Sequence, residues 1–485
     1  MSEKLKFSQY ADFLAPLIVR KNILHDFEVC SVTSNSADAD KNSLFCAVKG
    51  VKNDGNNYVA DVLQRGAGGI ISTREYKEIN SIQVADDRMA YSEAERFFYG
   101  DPDKKIALLG VTGTNGKTTS VYLFFALLRA LGRKPAIFST IQNFDGKNYF
   151  DSQCTTPDAG VLFDLCRRAV DNGAEYLLLE CSSHALSQSR LGQSRFQTAI
   201  FTNLTGDHLD YHKDMESYFK AKKILFFNNL AENGCAVINI DDEYGARLAL
   251  ELKNAGKNVK TFGFVPDADL HMEIREDVFY LNDVLLECSL FGKHNFYNIC
   301  GVLGALSSLG FELEKCLEIL RNENISVPGR LEKIDVKQHG TAFVDYAHTD
   351  DALRNVLQIL RLEAEKKQGR VICVFGCGGD RDRSKRPRMG RAVSELADEF
   401  IITSDNPRHE KSEDIAAEIL SGCIKAPFAV ELDRRAAIRM ALDSANENDL
   451  ILIAGKGHEK EQQVGDKKIY FDDCAEVRMF LENIK

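Results

Sequence analysis

The stretch Lys105-Ile-Ala-Leu-Leu-Gly-Val-Thr-Gly-Thr-Asn-Gly-Lys-Thr-Thr-Ser120 decides how the chain is read. Ile106 to Val111 is a short apolar run, the pattern of a buried strand, and a glycine-rich turn follows it. Lys117 to Leu131 then reads as an amphipathic helix stopped by Gly132. A strand feeding a glycine turn and a helix N-terminus makes a phosphate cradle, because free backbone N–H groups and the helix dipole both face the anion. In such a cradle Lys117 reaches the terminal phosphates and the Thr118 hydroxyl sits on Mg²⁺. The strict P-loop pattern wants glycine at 111, where this chain has valine, but Gly110, Gly113 and Gly116 with Thr114 and Asn115 keep the turn. An ATP or GTP site is expected, and the stretch alone does not say what the nucleotide is used for.

Composition bounds the partners. The 485 residues exceed one core, so about two to four domains are expected. A hydrophobic content of 44% with 27% charged residues is that of a soluble globular protein. A net charge of −11 without a basic block argues against nucleic acid. No apolar run reaches the roughly 18 residues of a membrane span, and no apolar segment after Met1-Ser-Glu-Lys-Leu-Lys6 suggests a signal peptide. The thirteen cysteines are scattered, with Cys373 and Cys377 the nearest pair, so reduced and mostly buried thiols in a cytoplasm are expected and a zinc site is not.

Taken in order, the chain predicts three α/β domains. Residues 1–104 form a small N-terminal domain, with strand runs at Ser43-Leu-Phe-Cys-Ala-Val48 and Gly69-Ile-Ile-Ser72, and polar loops at Thr33-Ser-Asn-Ser36 and Gly50-Val-Lys-Asn-Asp-Gly55. Asp101-Pro-Asp-Lys-Lys105 reads as a linker. Residues 105–327 alternate strands and helices, which argues a mainly parallel sheet in a P-loop-type ATPase domain. Residues 328–485 repeat the alternation as a Rossmann-like, doubly wound domain.

In such sheets ligands gather at the carboxyl ends of strands. Glu180 follows the apolar run Tyr176-Leu-Leu-Leu179, and a carboxylate there is a natural Mg²⁺ ligand. His208 lies in the loop after Ala199-Ile-Phe201, as a second ligand or a polariser of phosphate. Taken singly, each reads more simply as a surface carboxylate and a loop histidine; beside a phosphate loop the functional reading gains. Lys222, on a helix from Asp214 to Phe227, reads ordinarily as a snorkelling lysine. Asn295 sits where a cap belongs for a helix from Asn298 to Leu309. The last domain's loops are chemically dense: Tyr346-Ala-His348, Gly376-Cys-Gly-Gly-Asp-Arg-Asp382, Ser404-Asp-Asn-Pro-Arg408 and Gly455-Lys-Gly-His-Glu459.

Together these motifs resemble the Mur ligase family, ATP-dependent amino-acid ligases of bacterial cell-wall precursor synthesis, over essentially the whole chain. Gly113-Thr-Asn-Gly-Lys-Thr-Thr119 is similar to the family phosphate loop, and Thr155-Thr-Pro157, Glu180-Cys-Ser-Ser-His184, Asp207-His-Leu-Asp-Tyr-His212, Asp345-Tyr-Ala-His348 and Asp405-Asn-Pro-Arg408 resemble the member that adds the third peptide residue. The resemblance implies that Gly113, Thr114, Asn115, Gly116, Lys117, Thr118 and Thr119 hold the triphosphate, with Asn295, Arg330 and His348 on the nucleotide side. It implies that Thr118, Glu180, His208 and Lys222 serve Mg²⁺, Lys222 as a carbamate formed with CO₂; a carbamate presents anionic oxygens where an ammonium would repel the metal. Lys117, Glu180, His208 and Lys222 are then the catalytic set.

By the same resemblance Ser34, Ser36, Val51, Lys52 and Asn53 line the uridine end of UDP-N-acetylmuramoyl-L-alanyl-D-glutamate, and Thr155, Thr156, Ser182, Gln188 and Arg190 hold its muramoyl-peptide part. Arg381, Asp405, Asn406, Pro407, Arg408, Gly455 and Glu459 take the incoming amino acid. Asp-Asn-Pro-Arg resembles the form selecting meso-diaminopimelate over L-lysine, with Arg408 expected buried against the far carboxylate and Glu459 accepting from the far ammonium. The family often has Ser-Arg where this chain has Ser36-Ala37, proline where it has Asp350, and a larger residue at Gly206. A monomeric cytoplasmic enzyme is implied. The rival readings are the same ligase using L-lysine, a folate polyglutamate or cyanophycin ligase, and a P-loop NTPase that ligates nothing.

Overall fold

A computed structural model describes residues 5–50, 53–206, 209–276, 278–290 and 292–483; Val51, Lys52 and His208 lie outside them. The described residues build three α/β sheets and a two-stranded ribbon. The chain divides into two compact units, Met1–Cys288 with His294–Glu323, and Ser289–Lys293 with Asn324–Lys485. No helix among the described residues is long and apolar enough to cross a membrane. All thirteen cysteines are free thiols, and nine of them are buried.

In the first unit a five-stranded sheet runs Ile18–Asn22, Ser81–Val84, Gly69–Ser72, Ser43–Cys46, Ser31–Thr33, parallel except for the first pairing. The larger sheet has eleven strands. It is parallel from Leu270–Arg275 through to Pro135–Phe138 and antiparallel at both edges. Its centre is apolar on both faces, as a parallel sheet under helices requires. Leu108, Phe138, Leu177, Leu179 and Phe196 pack with Leu162 and Leu165 of the helix Ala159–Asp171 and with Phe219 and Leu225 of the helix Met215–Phe227. Each fully buried Leu or Phe contributes roughly 1.5–3 kcal/mol.

Register places the site. Ala107–Thr112 lies between Tyr176–Glu180 and Phe196–Phe201, with Val111 opposite Glu180 and Thr112 opposite Phe201. Pro135–Phe138 continues the row, with Phe138 opposite Leu179. Four strands therefore end level, and the loops that follow them share one edge.

Two expectations are corrected. Residues 101–105 are not a loose linker: Pro102–Lys105 forms a 3₁₀ turn, Asp103 is buried, and Arg96 stands 3.6 Å from both Asp101 and Asp103. The helix expected from Asn298 begins at Lys293, so Asn295 lies within its first turn rather than capping it. Asn295 is buried there, its Oδ1 accepting from Asn298 Nδ2 at 3.2 Å.

In the second unit the sheet order is Glu332–Asp335, Thr341–Asp345, Leu450–Ala454, Val371–Phe375, Glu399–Ile402, Ala429–Val430, parallel after an antiparallel first strand. Asp345 pairs with Ala454, and Phe375 with Ile402, so the four dense loops again leave one edge. Thr349 caps the helix Asp350–Lys367 by accepting from Ala352 N. Asp350 stands first in that helix, where a carboxylate suits the dipole as well as proline suits the backbone.

Candidate active site

The phosphate loop joins Ala107–Thr112 to the helix Lys117–Ala130. Gly116 takes φ +85°, and a Cβ there would stand 2.3 Å from Asn298 Oδ1, so only glycine closes this turn. The loop is braced from the neighbouring strand end: Thr114 N donates to Asn203 O at 2.9 Å, Asn115 N to Asn203 Oδ1 at 2.9 Å, and Thr202 Oγ1 to Asn115 O at 2.6 Å. Lys117 Nζ donates to the carbonyls of Gly113 at 2.9 Å and Thr114 at 2.8 Å. Thr119 is buried behind them in the helix.

Glu180 is fully buried at its strand end, and the aligned loops supply its donors. Thr118 Oγ1 donates to Oε2 at 3.0 Å, Thr140 N to Oε1 at 2.8 Å and Thr140 Oγ1 to Oε2 at 3.1 Å. Lys222 is also buried, at 1% exposure, so it is no snorkelling lysine. Its Nζ donates to Gly113 O at 2.8 Å and lies 4.5 Å from the centre of the Tyr218 ring. Tyr218 in turn meets Thr114 Oγ1 at 3.3 Å and stacks on His212, whose Nε2 is 2.9 Å from Ser183 Oγ. Thr118, Glu180 and Lys222 are thus drawn to one buried loop.

The expected peptide-side residues form a connected chain. Thr156 Oγ1 donates to Glu180 O at 2.6 Å and accepts from Ser182 N at 2.9 Å, while Thr155 Oγ1 lies 3.2 Å from Thr140 Oγ1. Ser182 caps the helix Ser183–Ser187 through Ala185 N. Arg190 donates to Thr156 O at 2.7 Å and, through Nε and Nη2, to Gln188 Oε1. Gln188 Nε2 donates to Tyr211 OH at 3.3 Å. Burial opposes ionisation of Tyr211, but hydrogen bonding to Ser187 and Gln188 and the charges of Arg88 and Arg190 outweigh it and lower the phenol's pKa. Tyr91 OH donates to Asp158 Oδ2 at 3.3 Å, just beyond the loop of Thr155 and Thr156. The Ser36 carbonyl accepts from Arg65 Nη1 at 2.8 Å, and exposed Asn53 closes a turn by accepting from Gly50 N.

In the second unit Asn406 Nδ2 donates to Glu459 Oε2 at 2.9 Å, and fully buried Lys456 donates to Asn406 Oδ1 and Glu459 Oε2, both at 3.1 Å. Gly455, at φ +111°, lets Asp405 approach: a Cβ would stand 2.5 Å from its Oδ2. Pro407 is buried, and Arg408 takes a left-handed φ of +50°. Arg408 is only half-buried, which corrects the buried position expected for it, and Nη1 donates to Gly379 O at 2.8 Å. Arg381 is exposed on the adjoining loop. The Arg330 guanidinium lies 4.8 Å from the Tyr346 ring centre, and His348 Nδ1 is 2.8 Å from Tyr346 O.

The Mur ligase middle domain matches residues 111–306, and the Mur ligase glutamate ligase domain matches residues 329–457. A protein of Clostridium botulinum named UDP-N-acetylmuramoyl-L-alanyl-D-glutamate--2,6-diaminopimelate ligase is 40% identical, with 94% of this chain and 96% of that one covered. This chain belongs to the Mur ligase family. A relative of the same name from Geobacter sulfurreducens is 37% identical over 98% of each chain. A solved structure titled with that enzyme name aligns with a TM-score of 0.68 at 32% identity, covering 94% of this chain and 95% of the other. A MurF ligase from Thermotoga maritima in complex with ADP shares the fold at a TM-score of 0.58 and 18% identity, with 94% of this chain and 98% of that one covered. The protein is accordingly an ATP-dependent, amide-bond-forming Mur ligase of peptidoglycan synthesis.

Sequence reasoning missed several residues of this Mur ligase's site. Thr140 gives Glu180 two donors, and its signal was its place just after the strand Pro135–Phe138. Lys456 sat unselected inside the quoted Gly455-Lys-Gly-His-Glu459 loop.

Proposed function

We propose that this Mur ligase joins meso-diaminopimelate to the D-glutamate γ-carboxylate of UDP-N-acetylmuramoyl-L-alanyl-D-glutamate, in the cytoplasm and as a monomer. The observation that carries the amino-acid reading is the cluster of Asn406, Lys456 and Glu459 across two loops, with Arg408 two residues beyond Asn406 and donating to Gly379 O. A guanidinium and a carboxylate carried by these loops suit the carboxylate and ammonium at the far end of meso-diaminopimelate. The relatives' names agree with it. We assign residues 1–104 to the uridine end, 105–327 to ATP and the muramoyl peptide, and 328–485 to the amino acid.

The chemistry follows from charge. The γ-phosphoryl of ATP passes to a carboxylate, so two anions must meet in line. Lys117 and the N–H groups of the loop draw the phosphates, and Asn295, Arg330 and His348 hold the nucleotide side. Thr155, Thr156, Ser182, Gln188 and Arg190 orient the peptide carboxylate. The amine then attacks the acyl phosphate and phosphate leaves; excluding water protects that intermediate.

A Mg²⁺ fits the donors present, since the Thr118 hydroxyl stands 3.0 Å from a fully buried Glu180 carboxylate and both are hard oxygen ligands. His208 and Lys222, the latter as a carbamate, would complete the set; bound Mg²⁺ supplies charge neutralisation on the transferring phosphoryl group.

L-Lysine is the second reading. Arg408 is half-buried and already bonded to Gly379 O, so a substrate without the far carboxylate costs less than a buried, unpaired guanidinium would. Phosphate release from ATP, measured with the UDP-dipeptide and either amino acid, tests the proposal. Release that needs both the UDP-dipeptide and meso-diaminopimelate is expected. Release with lysine alone overturns the specificity, and release indifferent to both overturns the ligase assignment.

A further inference from the structure

Arg434 opens the helix Arg434–Ser444, and Asp473 opens the helix Asp473–Asn483. Both side chains are fully buried. Arg434 Nε donates to Asp473 Oδ1 at 2.8 Å and Nη2 to Oδ2 at 2.7 Å, a bidentate pair. The same guanidinium reaches two carbonyls: Nη2 donates to Ala454 O at 3.0 Å, and Nη1 lies 3.4 Å from Ser404 O.

Those carbonyls stand where two loops begin. Ala454 ends the strand Leu450–Ala454 just before Gly455, and Ser404 precedes Asp405, Asn406 and Arg408. The strands Leu450–Ala454 and Glu399–Ile402 are not neighbours, since Val371–Phe375 runs between them. No ladder hydrogen bond can fix the distance between their ends. Arg434 spans that gap beneath the intervening strand, and Asp473 holds it there. Burial opposes the guanidinium charge, but Asp473, with Asp405 and Glu459 adding, outweighs burial and keeps it protonated.

A buried ion pair is weak evidence for stability, because desolvation cancels much of the attraction. Its bonds to two loop roots give it a different role. We propose that Arg434, anchored by Asp473, is a positioning residue that sets the spacing of the two amino-acid-reading loops. Arg434 touches no substrate; it acts through Asp405, Asn406 and Glu459. The inference rests on the reading of those loops as the diaminopimelate site.

The test compares Arg434→Lys and Asp473→Asn with Arg408→Ala and a control, Arg370→Gln. Arg370, with 35% of its side chain exposed, pairs with Asp449 at 2.7 Å at the opposite, amino ends of the strands. Steady-state KM is measured for meso-diaminopimelate, the UDP-dipeptide and ATP, with the melting midpoint of each variant. Arg434→Lys is expected to raise KM for meso-diaminopimelate about tenfold and to leave KM for ATP within about twofold. Arg370→Gln is expected to lower the melting midpoint without that rise. Where Arg434→Lys fails to fold, Asp473→Asn gives the same comparison. Equal changes in all three KM values, or a lower midpoint with every KM unchanged, overturns the positioning role. If Arg408→Ala leaves KM for meso-diaminopimelate unchanged, the reading of the loops fails. If Arg408→Ala raises it and neither Arg434→Lys nor Asp473→Asn does, only the positioning role fails.

Discussion

Glu95 makes stability depend on pH in a direction opposite to most carboxylates. It lies on the helix Asp87–Phe98, 3% exposed, and faces the helix Ala159–Asp171, where a Cβ on Gly160 would stand 2.8 Å from its Oε1. Burial pushes its pKa up from 4.5 to about 8; the Tyr91 hydroxyl opposes the rise, and Asp158 and Asp164 add to it. Between those two values the folded chain keeps a proton that the unfolded chain releases. The contribution is therefore complete at low pH and is lost as pH rises toward 8. The rise of about 3.5 units corresponds to at most about 5 kcal/mol at 1.36 kcal/mol per unit, and relaxation around the ionised group reduces it. Glu95→Gln keeps the size and cannot ionise. Urea unfolding of both proteins from pH 5 to pH 9 is expected to diverge, the variant gaining about 2–5 kcal/mol on the parent across the range. Parallel curves, or a variant that loses ground as pH rises, refute the reasoning.

Further outcomes follow from the central loop. Lys222→Ala is expected to abolish ligation while the protein stays folded, and short carboxylates such as acetate or propionate should restore part of the turnover; an unimpaired variant removes the carbamate reading. Gly116→Ala forces a Cβ against Asn298 Oδ1 in a left-handed turn. It should cost about 1–3 kcal/mol in unfolding free energy and weaken ATP binding measured by calorimetry, and a variant with normal ATP affinity would contradict the geometry described for the loop.

How much of this was legible in the sequence depends on the range of the contacts. The phosphate loop is local: Gly116, Lys117 and Thr118 adjoin one another, and strand, turn and helix lie where the pattern put them. Glu180 was legible because a carboxylate straight after an apolar run marks a parallel-strand end. Thr140 was not, since its importance depends on which strand lies beside Tyr176–Glu180, and strand order is not written locally. The linker reading failed because Asp101 and Asp103 both lie 3.6 Å from Arg96 on the preceding helix, a contact the local sequence does not show. The Asn295 cap failed because the helix begins earlier, at Lys293. Arg434 carries no local signal, because its anchor Asp473 is 39 residues further along. The half-burial of Arg408 follows from loop geometry that its motif does not encode.

The most direct measurement is the mass of the product formed from ATP, UDP-N-acetylmuramoyl-L-alanyl-D-glutamate and an equimolar mixture of meso-diaminopimelate and L-lysine. A UDP-tripeptide heavier than the starting material by diaminopimelate less one water is the result predicted. A lysine adduct contradicts the assignment of the Arg408 loop, and unchanged UDP-dipeptide beside hydrolysed ATP contradicts ligation itself.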